Sequence, residues 1–528
     1  MKGIRSVLAA GLMLGGSAVW AQSSDTAPAP APKFDIQSFV VDGNTLIPKK
    51  DVDELVAPFT GKQRDFGDIQ KALEALQAEY LSRGYNAVRV LVPEQDIRSG
   101  QVHLQVIEAR VRNVRIEGNK YYSNETIRGT LPALKEGESP NTREIGANVT
   151  LANENPIRQE RVVLQATPEE GKVDAVVRVV DDDPWRVSLF FDNTGNDTTG
   201  YNRAGVGFLN ANFGGVDHVI NLQAITSPTQ WDDVQIFGAG YRVPLYGANA
   251  LFDVYGGRSD VNSGTLQGLF TVAGSGSIAG ARYTQVLPRS GSYEQKLALG
   301  VEWKAFDNNV FLVGGSTTLV PNVTTIPATL SYIGRAIEPG RDVSFYMAYS
   351  HNLPQSEGNA SPAAIDAARP GAQPNFQIFR AGFAYTTALP QDNLFRFVAD
   401  AQYTRSPLVP GEQYGLGGIT SVRGFFERYT ANDIGHHVSI EYYGPDVGKT
   451  TIGSAWNARI FGFMDFGRGV DQEPIRLENN GMASIGVGGT ATRGKNWSLR
   501  FDTAIVTNGT GSVHEGDVRT DFGIVYTF

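Results

Sequence analysis

Residues 417–425 read GGITSVRGF, and residues 461–467 read FGFMDFG. Arg423 is the one cation of the first stretch, and Asp465 is the one charged residue of the second. Gly417, Gly418 and Gly424 make the first stretch a poor strand and a poor helix. It is therefore expected as a loop that carries one fixed cation between two apolar anchors, Val422 and Phe425. The chemistry such residues support is ion pairing. Arg423 held by a carboxylate on a wall would pin a loop folded back into a pore. The competing interpretation is a glycine-rich surface loop with a solvated arginine.

No other residues have the spacing of a reactive centre. The histidines are His103, His218, His351, His436, His437 and His514. His436 and His437 are adjacent, so on a strand they point to opposite faces and make a poor metal pair. With no cysteine in the chain, disulfides and thiolate metal sites are excluded. Residues 486–494, GVGGTATRG, lack the strand–helix context of a phosphate loop and read as a strand ending in a turn. No GxxxxGK[ST] segment occurs. The expectation is no catalytic residue, no metal, no cofactor and no enzyme.

The elements that must position Arg423 follow from the rest of the chain. It has 528 residues, 60 of them glycine, with 10% aromatics and a net charge of −9. The acidic balance argues against nucleic acid as a partner. Mean hydropathy is −0.21, and after the N-terminal segment no run approaches the ~18 apolar residues of a spanning helix. Residues 1–21 have a basic start (Lys2, Arg5), a short apolar core and small residues before Ala21, the pattern of a secretory signal peptide. Residues 22–33 are a Pro/Ala-rich extended linker. An exported, acidic, cysteine-free, glycine-rich chain fits a barrel in a Gram-negative outer membrane, whose strands need only alternate apolar and polar residues.

Residues 34–108 are expected as strand, helix, helix, strand, strand, and residues 109–183 repeat that order. Ile69, Leu73, Leu76, Tyr80 and Leu81 have helical spacing, and Gly84 stops that helix. Val41-Asp42-Gly43-Asn44 in the first copy corresponds to Ile116-Glu117-Gly118-Asn119 in the second. From about residue 184 short alternating segments take over. Sixteen begin near Arg186, Arg203, His218, Val234, Asn249, Ser277, Lys296, Thr329, Val343, Phe376, Leu394, His436, Asn457, Gly481, Trp497 and Val518. In the fifteenth, Trp497, Leu499, Phe501 and Ile505 share one face, and Ser498, Arg500 and Asp502 the other. A charge facing hydrocarbon costs a few kcal/mol, so the polar face must line the lumen. Connections alternate between tight and long, which puts the tight ones in the periplasm and residues 404–435 in the sixth external loop.

Two βααββ copies, with Gly84-Tyr85 in the first and Asn153-Glu154-Asn155-Pro156-Ile157-Arg158 in the second, resemble POTRA domains. Together with a sixteen-strand barrel and a VRGF loop, they resemble the TpsB family. These are the two-partner secretion transporters of the ShlB/FhaC/HecB haemolysin secretion/activation type, within the BamA superfamily. The resemblance covers residues 34–528. It implies that Gly417, Gly418, Val422, Arg423, Gly424 and Phe425 form the loop motif. Phe463, Asp465 and Gly467 would form the wall motif F-x-D-x-G, with an Arg423–Asp465 pair inside the barrel. Asp433, Gly435 and Glu441 also fit the pattern. The terminal Phe528 resembles the signal read by barrel-assembly machinery, its other role being an aromatic anchor among outer-membrane lipid.

The implied function is export of an unfolded TpsA-type exoprotein with an N-terminal secretion domain. The POTRA edges would receive it, and the barrel would pass it outward without nucleotide. Some members carry an N-terminal plug helix. With only residues 22–33 before the first POTRA-like strand, no plug helix or a vestigial one is expected. The rivals are an insertase assembling other barrels, which usually carries more POTRA units, a passive porin, and a hydrolase.

Overall fold

The structure is a computed structural model that describes residues 32–196, 199–232, 234–260, 264–266, 270–272, 275–307, 321–472 and 480–528. The expected signal peptide, nearly all of the linker and any plug segment lie outside the described residues. The chain forms two compact units, one reaching to residue 80 and including 88–108, the other comprising 81–87 and 109–528.

In the first unit, helix Lys49–Val56 buries Val52 and Val56, one turn apart. Helix Phe66–Ser82 buries Ile69, Ala72, Leu76 and Tyr80, a stripe at three- and four-residue spacing. The helices accompany a three-stranded sheet in which Gln101–Glu108 is central, parallel to Ser38–Asp42 and antiparallel to Val88–Leu91. The strand expected at the start of this unit is two strands, Phe34–Ile36 and Ser38–Asp42. Phe34–Ile36 turns aside to pair with Gly61–Arg64, because the backbone NH groups of Gln37 and Ser38 both donate to the carbonyl of Gly100.

The same construction recurs at residues 110–180. There Lys172–Val180 is central, parallel to Arg110–Glu117 and antiparallel to Gln159–Ala166, with helices Asn124–Gly129 and Thr142–Ala152. Val111, Ile127, Ile145, Ala175 and Val177 form its core. The repeated Gly-Asn turn has a steric reason. Gly43 and Gly118 have φ of 81° and 93°, and a Cβ on either would lie 2.3 or 2.4 Å from a strand carbonyl. Each following asparagine, Asn44 and Asn119, donates its amide to a carbonyl three residues on, at 2.8 Å.

From Trp185 the chain closes a barrel of sixteen long antiparallel strands. Each begins within three residues of the expected position. The first strand, Trp185–Asp192, pairs with the second, Arg203–Phe213, and with the sixteenth, Val518–Thr527. Leu299, Phe237 and Phe501 stand exposed outside, while Asp465, Ser484, Asp502 and Asp521 are buried inside. No helix of the described residues is long and apolar enough to cross a membrane. The periplasmic connections are short except residues 444–455, which hold the helical turn Gly448–Thr451. On the opposite side the fifth external loop forms helix Pro362–Ala368, and the sixth loop, residues 405–433, runs into the lumen.

Candidate functional site: a loop pinned inside the barrel

The tip of loop six meets the twelfth, thirteenth and fifteenth strands, Ile434–Tyr443, Trp456–Val470 and Trp497–Asn508. The alternation of the thirteenth strand buries Phe461, Phe463 and Asp465 on the lumenal face. The loop reaches that wall because glycines occur where backbone must bend or approach closely. Gly417, Gly418 and Gly424 have φ near 100°, a region that costs any residue with a Cβ. On the wall, a Cβ at Gly467 would lie 2.7 Å from Val422 and 2.8 Å from Leu416. Val422 and Phe425 are buried with Leu416, Met482 and Val506, the apolar anchors that flank the cation.

Arg423 is buried and fully engaged. Its Nε donates to Asp465 Oδ2 at 2.6 Å and Nη2 to Asp465 Oδ1 at 2.7 Å, a bidentate fork. Nη1 donates to Glu441 Oε1 at 2.9 Å, and Nη2 also to Ser439 Oγ at 3.0 Å. The backbone NH of Arg423 donates to Asp465 at 3.1 Å. Asp502 stands 3.5 Å from Nη1, and the guanidinium lies 3.5 Å over the Phe463 ring. Outer cations complete the cluster, Arg396 donating to Glu441 and Arg500 to Asp502. Three guanidinium groups thus face three carboxylates, which offsets the cost of keeping so many charges out of water.

The structure therefore brings Arg423, Phe463, Asp465 and Gly467 together, and adds Ser439 and Asp502, which motif matching missed. Asp502 was legible only as one lumenal residue among several on its strand. Asp433 lies at the loop base. It accepts from the NH groups of Leu408 and Gln472 and from Arg369 of loop five. Gly435 admits the Tyr414 ring, which a Cβ would meet at 2.2 Å. A shoulder of the loop, Glu412, is buried and accepts from Thr325 at 2.8 Å, with Lys304 3.2 Å away. Loop six is thus held at its tip, shoulder and base. Phe528 sits apart, its NH on the carbonyl of Val187 and its ring against Tyr526. His437 is buried against Asp400, while His436 faces outward, and no metal-holding cluster occurs among the described residues.

Residues 171–491 match the family model of the haemolysin secretion/activation proteins ShlB/FhaC/HecB, and residues 34–109 match the ShlB-type POTRA domain. The chain belongs to the ShlB/FhaC/HecB family. An outer membrane transporter CdiB of Escherichia coli is 25% identical over 423 residues, spanning 78% of this chain and 69% of that protein. The heme/hemopexin transporter protein HuxB of Haemophilus influenzae is 19% identical over 429 residues, 78% of this chain and 71% of that protein. The solved structure of CdiB from Escherichia coli superposes with a TM-score of 0.75 at 19% identity, over 96% of this chain and 93% of that one. Family membership and the closed barrel make this chain an outer-membrane protein transporter with periplasmic POTRA domains.

Proposed function

We propose that this protein captures an unfolded exoprotein on its POTRA domains and passes it through the barrel without nucleotide hydrolysis. The observation that carries this reading is the pinned loop. A polar lumen is occupied by a segment held through non-covalent contacts to Asp465, Glu441 and Asp502, which can be exchanged and remade. The periplasmic sheets support the capture step. In the first, Ser38–Asp42 and Val88–Leu91 are the outer strands, each paired on one side within the sheet, and an extended chain can add to such an edge through main-chain hydrogen bonds. Arg423 acts as a gate pin and reacts with nothing. The cargo class is a haemolysin-, adhesin- or toxin-like exoprotein, and Phe528 is the assembly signal.

A second reading, insertion of other barrels through the wall, has one observation in its favour. The seam between the first and sixteenth strands holds five residue pairs, against eight between the first and second. Comparing the proteins of culture supernatant and outer membrane with and without the gene separates the two. Loss of one large supernatant protein at constant barrel levels is the expected result. A joint fall of many barrels would replace export by insertion.

A further inference from the structure

The second POTRA domain meets the barrel through a joint whose construction is as elaborate as the loop-six pin. Arg158, on the loop Asn153 to Arg158 that precedes strand Gln159–Ala166, is fully buried. It forks onto Asp217 of the first periplasmic turn, Nη1 to Oδ1 at 2.6 Å and Nη2 to Oδ2 at 3.0 Å. Glu160 lies 2.7 Å away on the other side, and the Tyr122 ring stacks under the guanidinium at 4.7 Å. Asn155 donates to Asp217 at 2.7 Å and to the carbonyl of Ala211 at 2.8 Å, and Tyr122 donates to the same carbonyl at 3.0 Å. Tyr246 of the second periplasmic turn donates to Asp217 as well.

Asp217 has φ of 64°, a left-handed conformation few residues with a Cβ adopt. Its three side-chain partners hold it there. Burial opposes the charge on Arg158, yet Asp217 and Glu160 more than offset this and raise its pKa. Burial pushes the Tyr122 hydroxyl up to about 12, so neither group changes charge near neutral pH. Around this polar centre, Ile157 packs on Ala211 and Val219, and Leu151 on Leu251 and Val286. Asn148 donates to Asn249 of the second turn at 2.7 Å, and Glu154 pairs with Lys296 of the seventh strand at 2.6 Å. The joint therefore spans the first and second turns and the seventh strand.

We infer that Arg158 and Asp217 keep the second POTRA domain fixed on the barrel throughout transport, so that this domain is a stationary part of the pore entrance. Opening the joint would part Asp217 from Arg158 and Asn155, and would leave the guanidinium with Glu160 of its own domain alone. The movement that transport needs then falls on loop six, which is held by contacts to the lumen. Arg158 is a positioning residue in this scheme, and its role in export rests on the function proposed above.

The absence of native cysteines makes the test direct. Thr126 donates to the carbonyl of Gly215 across the joint, and Val216 beside it is exposed. Spin labels on Thr126→Cys and Val216→Cys in full-length protein in lipid vesicles should give one narrow distance distribution, broadened by adding Arg158→Ala. A broad or two-peaked distribution in the parent pair overturns the proposal, whatever the cargo is. The same pair is then bridged in cells with a short, reducible bis-maleimide. Export of the supernatant protein that depends on this gene should stay within about twofold of the unbridged pair, below the ~1.4 kcal/mol that a tenfold change represents. Export lost on bridging and restored by reductant overturns the proposal. If no supernatant protein depends on the gene, the export reading fails, while the distance measurement still decides the joint.

Discussion

Arg423 shows what a single side chain does when four hydrogen bonds hold it at once. Removing it leaves Asp465, Glu441 and Asp502 buried around an empty position. Breaking one side of a buried pair costs about 3–5 kcal/mol, so Arg423→Ala should release loop six and lower the unfolding temperature. Cleavage of the loop by added protease is the measurement. Arg423→Lys should not restore the parent behaviour, because an ammonium cannot reproduce the fork onto Asp465 together with the bond to Glu441. Gly467→Ala tests the wall from the other side. Its methyl group would meet Val422 and Leu416 well inside contact distance, and overpacking of this kind costs about 1–3 kcal/mol. Loop six should be partly displaced, with Arg423 still present, and ion conductance through the purified protein should rise.

The external loops act as a second closure above the pin. Ser361 caps helix Pro362–Ala368 by accepting from Ala364 NH. Ile365 is then buried with Val323, Ala368, Ala372 and Val409, the last belonging to loop six. Arg369, at the end of this helix, reaches Asp433 at 3.0 Å and Asp471 at 3.5 Å. Val323, just before the eighth strand, thus packs with loops five and six into one cap. Ile365→Ala removes the centre of that packing, at about 2–5 kcal/mol for a buried isoleucine. Protease added to whole cells should then cut loop five faster, while the thermal stability of the barrel stays near the parent value because the strand ladder is untouched. Equal cutting of parent and variant would show that the cap does not depend on this cluster.

At the scale of the molecule, the first POTRA unit has its own core and its own sheet. Removing residues 34–108 should leave a barrel that still folds and still shows heat-dependent mobility in electrophoresis. Export should fall to the level of the gene deletion if capture begins on this unit. Retained export would move the capture site to the second domain.

The strand positions were legible because they rest on a period of two that each segment carries by itself. Lipid outside and water inside force Phe501 and Asp502 apart on neighbouring residues, with no help from any other segment. The same holds for the glycines of the two Gly-Asn turns and for loop six as an irregular segment between two strands. The split of the opening strand at Gln37 was not legible, since it depends on the Gly100 carbonyl far along the chain. The expected Arg423–Asp465 contact came from matching a motif, and nothing local in either segment points to the other.

Ser439 and Asp502 entered the cluster only when barrel closure brought the twelfth and fifteenth strands beside the thirteenth and its loop. Arg158 and Asp217 are 59 residues apart, in different domains, and each reads alone as an ordinary solvated charge. Local alternation and turn chemistry determined the long barrel strands, their number and their faces. Which charges are buried together was decided by closure of the barrel and docking of the second POTRA domain, because burial is a property of the assembled surfaces.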